Sequence, residues 1–170
     1  MEIISRFIDL CLFRASPSDV PASAWLLKIT LLSYFVLSLI VNKLDNTWNT
    51  SFFVSLADIA VMVIIVGLLL TFRGFQSRYT QVIIALAGAG CCMAIIGFPI
   101  IWWFFQIEPE QQTASFALLM MVVLLIWSLM VMAQIFRHSL EVKSATAMLI
   151  TIAYIMITLV VTGLVMSGVV

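Results

Sequence analysis

The sequence predicts an all-α integral membrane protein, a bundle of five transmembrane helices preceded by an amphipathic interfacial helix. Three observations carry this expectation. Of the 170 residues, 64% are hydrophobic and only 9% are charged, so a water-soluble fold would lack the polar surface to cover itself. The apolar residues fall into five runs of about 20 or more, the length that crosses a hydrocarbon core. Strict alternation is absent from those runs, so backbone groups that lipid leaves without partners must be satisfied in helices, not in barrel strands.

Residues 1–21 form the first unit. Glu2, Ser5, Arg6 and Asp9 recur at helical spacing, while Ile3, Ile4, Phe7, Leu10, Cys11 and Phe13 cover the rest. That is the pattern of a helix lying in the interface with its apolar side in lipid or against the bundle. Arg6 and Asp9 interrupt the apolar run and no small-residue cleavage site follows, so it does not read as a removable signal peptide. In "ASPSDVPAS", Ser16 suits a cap, Pro17 a first helical position with Asp19 near its N-terminus, and Pro21 the start of the first span. The segment is expected to be a rigid corner.

Residues 22–170 form the transmembrane domain, with spans near 22–41, 52–72, 80–105, 114–136 and 145–169. The connections are too short for a soluble domain, and nothing repeats at a fixed period. Basic residues gather on alternate connections. Arg6, Arg14 and Lys28 mark the N-terminal side, Arg73 and Arg78 the second connection, Arg137 and Lys143 the fourth. The first connection has only Lys43, partnered by Asp45, and the third, "QIEPEQQT", has two glutamates and no base. The positive-inside rule then puts the N-terminus in the cytoplasm and the C-terminus, after five spans, on the outer side. Trp48, Trp102 and Trp103 fit the outer headgroup level and Trp25 the inner one. Eight basic and eight acidic residues cancel, which removes bulk charge as an argument for nucleic-acid binding.

Ionisable residues inside a span cost about 2.5–3.5 kcal/mol at mid-membrane on insertion scales and need a reason. Lys28 can snorkel to the cytoplasmic interface as an anchor. Asp58, about two turns below the outer end of the second span, cannot reach so far. It is either protonated, hydrogen-bonded to a neighbouring helix, or part of an ion or proton path. Thr30, Tyr34 and Ser38 in the first span, and Ser144, Ala147, Thr151, Tyr154, Thr158 and Thr162 in the last, form stripes at helical spacing. Such stripes glue helices together or line a groove. "ALAGAGCCMAIIGFP" permits close helix contact, and Pro99 is expected to kink the third span. Cys11, Cys91 and Cys92 have the spacing of neither a disulfide framework nor a zinc site and read as packing residues.

The only histidine lies in "QIFRHSLEVKSA". Gln134, Arg137 and Glu141 fall on one helical face, His138 is within reach of Glu141, and Ser144 suits a cap for the last helix. His138 is either a sensor of cytoplasmic pH or a solvated imidazole. There is no phosphate-cradling glycine loop, no pair of carboxylates at one depth and no HExxH, and His138 and Asp58 belong to opposite sides of the membrane. The expectation is a non-enzyme with no catalytic, metal or cofactor residues.

The proline corner after an amphipathic segment, the third span ending "GFPIIWW", and a fourth span reading "IWSLMVMAQIFRHSLEVKSATAM" resemble the Yip family of Ypt/Rab-interacting five-span membrane proteins. Pro99, and Trp127 followed by the basic elbow with Ser144 and Ala145, carry the resemblance. It implies the same five-span fold with the N-terminus inside. Eukaryotic relatives bind prenylated Rab GTPases through a longer cytosolic region. Residues 1–21 are too few for that, which weighs against Rab-type GTPase binding and matches compact bacterial members in the inner membrane. The expected function is a non-enzymatic scaffold or accessory subunit. It would use helix packing and a small basic face of Arg73, Arg78, Arg137, His138 and Lys143 to engage lipid and another membrane protein or a second copy. The alternative is a small transporter or channel component with Asp58 and intramembrane hydroxyls lining the path.

Overall fold

The computed structural model describes residues 2–106 and 112–168. They form six α-helices: α1 (Glu2–Cys11), α2 (Ala24–Asn42), α3 (Trp48–Arg73), α4 (Tyr79–Gln106), α5 (Gln112–Leu140) and α6 (Ser144–Met166), with short 3₁₀ turns at Pro17–Asp19 and Gln76–Arg78. No strand occurs among the described residues. Five of these helices are long and apolar enough to cross a membrane, and large apolar side chains such as Phe72, Trp25, Leu32 and Leu149 point outward. The chain is an integral membrane protein in composition and build. Glu108 and Glu110, the acidic part of the third connection, lie outside the described residues.

Local chemistry sets the helix ends. Thr47 caps α3 by accepting from the Thr50 N–H, so this helix starts four residues before the first apolar residue of the expected span. It stops at Gly74, whose φ of 75° suits the residue that ends a helix. In α5 the helix runs four residues beyond the expected end, to Leu140. There the chain turns through Glu141, at φ 52°, and the Val142 N–H bonds back to the Arg137 carbonyl. Three local expectations change. Ala24, not Pro21, is the first helical residue of α2, with Ser23 at its N-cap. Lys143 occupies the N-cap of α6 without a side-chain bond and Ser144 is the first helical residue. Lys43 donates to the Asn46 carbonyl and sits over the Trp48 ring, not against Asp45.

The five long helices pack as a ring in the spatial order α2, α4, α5, α6, α3, with α3 returning to α2. Helix α4 supplies the largest share of the core: Val82 to Ala89 is buried through more than two turns. Small residues make this possible, because without large side chains neighbouring backbones come close. A methyl group added at Gly88 would fall on the Phe7 ring, and one at Gly90 on the Tyr34 ring. Helix α4 continues through Pro99 to Gln106, and Pro99 itself is exposed.

Helix α1 lies outside the ring, with Phe7, Leu10 and Cys11 packed toward α4. Its last residue is deep. The Trp127 indole donates to the Cys11 carbonyl at 3.0 Å, satisfying an acceptor that the helix end leaves unpaired. Cys11 also approaches the Ala89 carbonyl and Cys92. Trp127 and Cys92 are each thirteen residues from the basic end of their helices, at Leu140 and Tyr79, about 20 Å at the helical rise. From there the chain climbs back, and Gln81 near the start of α4 donates to the Val20 carbonyl. Hydrogen bonding to Cys92 and burial hold the Cys11 thiol well above its ordinary range.

Gly88→Ala is expected to push α1 off α4, converting a buried, unreactive Cys11 into one that maleimide labels in the folded state. Trp127→Phe keeps the packing and leaves the Cys11 carbonyl without its donor, a loss of about 1–3 kcal/mol read by thermal unfolding.

Candidate functional site

Within the ring lies a half-open cavity of about 410 Å³ to which all five long helices contribute. Its position follows from the two faces of α4. While Gly88 receives α1, Gly90 two residues later faces the interior and admits the Tyr34 ring of α2. Tyr34 then reaches α3, where its hydroxyl donates to Asp58 Oδ2 at 2.5 Å. One glycine thus positions the partner of the intramembrane carboxylate.

Asp58 is ten residues into α3 from Trp48, about 15 Å along the helix. The four residues that α3 adds before Phe52 do not change the distance of Asp58 from the start of the apolar run, which stays at about two turns. A polar ladder continues from this level toward the far end of α2. Ser38 donates to Ser55, and the Asn42 amide donates to both hydroxyls, all at 3.2 Å. Ser55 is fully buried, so these bonds spare a hydroxyl that would otherwise cost 1–3 kcal/mol or about that.

Tyr154 enters the wall from α6, its ring held edge-on against Phe136, with Thr162 two turns further along. The other side is soft and apolar, with Met62, Met93 and Met132 contributed by three different helices. Such side chains adapt their shape to a guest. Among the described residues lining the cavity, Asp58 is the one carboxylate, and no Lys, Arg or His accompanies it.

No family model, curated protein or solved structure matches this chain. The site is therefore assigned from its own chemistry.

The residues singled out in the sequence divide into two groups. Asp58 joins Tyr34, Ser38, Tyr154 and Thr162 from the two hydroxyl stripes around one cavity. Thr30, Thr151 and Thr158 leave those stripes, each hydroxyl bonding a carbonyl one turn earlier in its own helix. Lys28 is exposed near the start of α2, and neither it nor Pro99 touches the cavity.

The basic residues gather at the opposite end of the bundle. Arg73 donates to the Leu140 carbonyl at 3.2 Å, and Arg78 pairs with Glu141 at 2.7 Å while lying over the Phe75 ring. His138 contacts Gln134, one turn back on α5, at 3.0 Å. Glu141 is thus turned to Arg78 of another connection, not to His138, which helical spacing puts within its reach. Arg137 and Lys143 are exposed.

Sequence reasoning missed Asn42 and Gly90. Asn42 falls at the next step of the Thr30, Tyr34, Ser38 spacing, so the signal was there. For Gly90 the only signal was the small-residue run.

Tyr34→Phe removes the hydroxyl that Asp58 accepts from and is expected to cost about 1–3 kcal/mol in thermal or denaturant unfolding. Gly90→Ala, which adds one methyl group and leaves both polar residues in place, is expected to produce a comparable loss by displacing the Tyr34 ring. In the Tyr34→Phe background Gly90→Ala should cost less, and a double-mutant cycle measures that coupling.

Proposed function

We propose that the chain is a membrane-embedded binding component of a small transporter or channel, and that the Asp58 cavity is its binding site. The observation that carries this reading is the conjunction of one carboxylate, two tyrosines and three methionines around about 410 Å³ of space. That volume lies within the range of pockets that hold small molecules. A carboxylate without a basic partner in an apolar surround favours a guest that brings positive charge, and aromatic faces favour the same guest. The ligand class that fits is a small organic cation with an apolar body.

The positive-inside pattern supports an orientation with the basic end in the cytoplasm and the C-terminus on the other side, as in a bacterial inner membrane. In that frame α1 is an amphipathic helix entering from the cytoplasmic side, with Phe7, Leu10 and Cys11 against the bundle and Ser5 and Arg6 outward. The Yip-like order of features supports the same frame. A scaffold role would draw on the basic end. Arg73 and Arg78 are engaged within the chain there, which leaves exposed Arg137 and Lys143 as its principal contacts for lipid or a partner.

The test is calorimetric titration of the detergent-solubilised protein with benzyltrimethylammonium and with its neutral carbon isostere, neopentylbenzene. The cation should bind more tightly, and Asp58→Asn should lower its affinity by about tenfold or more, 1.4 kcal/mol or about that. Equal binding of cation and isostere, or an unchanged affinity in Asp58→Asn, defeats the proposal. Uptake by proteoliposomes then separates transport from binding alone.

A further inference from the structure

A second cavity, of about 270 Å³, lies at the basic end between the first turn of α4 and the last turn of α5, with the Pro17–Asp19 turn beside it. Ser18, Arg78, Gln81, His138, Ser139 and Glu141 stand on its wall. The binding function around Asp58 uses none of them.

Ser139 is the feature that packing does not explain. It is 3% exposed, and its buried hydroxyl has no hydrogen-bond partner. Other helical hydroxyls in this chain cross to a neighbouring helix, as Ser38 does to Ser55, or fold back onto their own carbonyls, as Thr30 and Thr151 do. An unpaired buried hydroxyl costs about 1–3 kcal/mol; Ser139 lines this pocket, and rotation of its short side chain about χ1 would bring the hydroxyl to a ligand there.

The charges around Ser139 are arranged as a dipole. Arg78 and Glu141 meet at 2.7 Å with 39% and 56% of their side chains exposed, so both retain a face toward the pocket and water. Arg78 and Gln81 stand where the 28-residue α4 begins, the helix end that attracts anions. Glu141 stands just past the end of the 29-residue α5, the helix end that attracts cations. Glu141 holds this position with φ at 52°, a conformation that residues other than glycine seldom adopt.

A simple anion would meet Glu141, and a simple cation would meet Arg78. A molecule with both charges meets neither penalty. We propose that this pocket binds the headgroup of a phospholipid carrying a phosphate and a primary ammonium, with the phosphate on Arg78 and Ser139 and the ammonium on Glu141. Three N–H donors let a primary ammonium hydrogen-bond the carboxylate, which a quaternary ammonium cannot do. The pocket lies at the end of the spans, at the level where headgroups begin.

Native mass spectrometry of the detergent-solubilised full chain tests this with three lipids of matched acyl chains: phosphatidylethanolamine, phosphatidylcholine and phosphatidylglycerol. Phosphatidylethanolamine should be retained with about tenfold preference over each of the others. Glu141→Gln should abolish that preference. Ser139→Ala should weaken retention and, in lipid-free detergent, raise the melting temperature because an unpaired hydroxyl is gone. That variant is expected to fold, so it separates ligand loss from misfolding. Equal retention of all three lipids overturns the proposal, as does unchanged phosphatidylethanolamine retention in both variants. O-phosphoethanolamine, the soluble headgroup, should compete only weakly. Binding as tight as the lipid's would show that the pocket takes a free metabolite and overturn the lipid assignment.

Discussion

Two glycines on nearly opposite faces of α4 govern the rest of this structure. The helical rotation between Gly88 and Gly90 is about 200°, so one faces outward to α1 and the other inward to the cavity. Each accepts an aromatic ring where a Cβ would stand: Phe7 on one side and Tyr34 on the other. In lipid no hydrophobic force draws helices together, and close packing has to supply the association. Helix α4 is the element with enough small residues to be approached from both sides, and it becomes the centre of the molecule.

The polar groups follow from that packing. Once Tyr34 is seated against Gly90, its hydroxyl is delivered to Asp58 on α3, and the same α2–α3 seam continues through Ser38, Ser55 and Asn42. The Thr30, Thr151 and Thr158 hydroxyls, which face other directions, close onto their own helices, at no demand on a neighbour. The intramembrane polar residues therefore do two jobs. Those on the α2–α3 seam join helices beside a cavity, while these three threonines are locally self-sufficient.

At the basic end the charged residues are less available than their number implies. The α5 terminus draws Arg73 to the Leu140 carbonyl, and the elbow draws Arg78 to Glu141. The elbow is only the three residues Glu141 to Lys143, because α5 extends through Arg137 and His138. His138 is then a last-turn residue on a helix, next to a polar pocket, and not part of a free loop.

The five long helices, their approximate limits and the segregation of basic residues were all legible in the sequence, because bilayer thickness and backbone satisfaction act on local stretches of chain. The hydroxyl spacing even pointed to Tyr34 and Ser38 as one face, and Asp58 stood out because a carboxylate inside an apolar run has a cost that does not depend on the fold. Which helix that carboxylate meets was decided by tertiary structure alone. So were the burial of the α1 terminus beneath Trp127 and the turning of Glu141 toward Arg78. Those contacts depend on the rotation of each helix about its axis and on the order of helices around the ring. Small-residue gaps set both by packing, and a pattern of hydrophobicity along one chain does not say which neighbour will fill them.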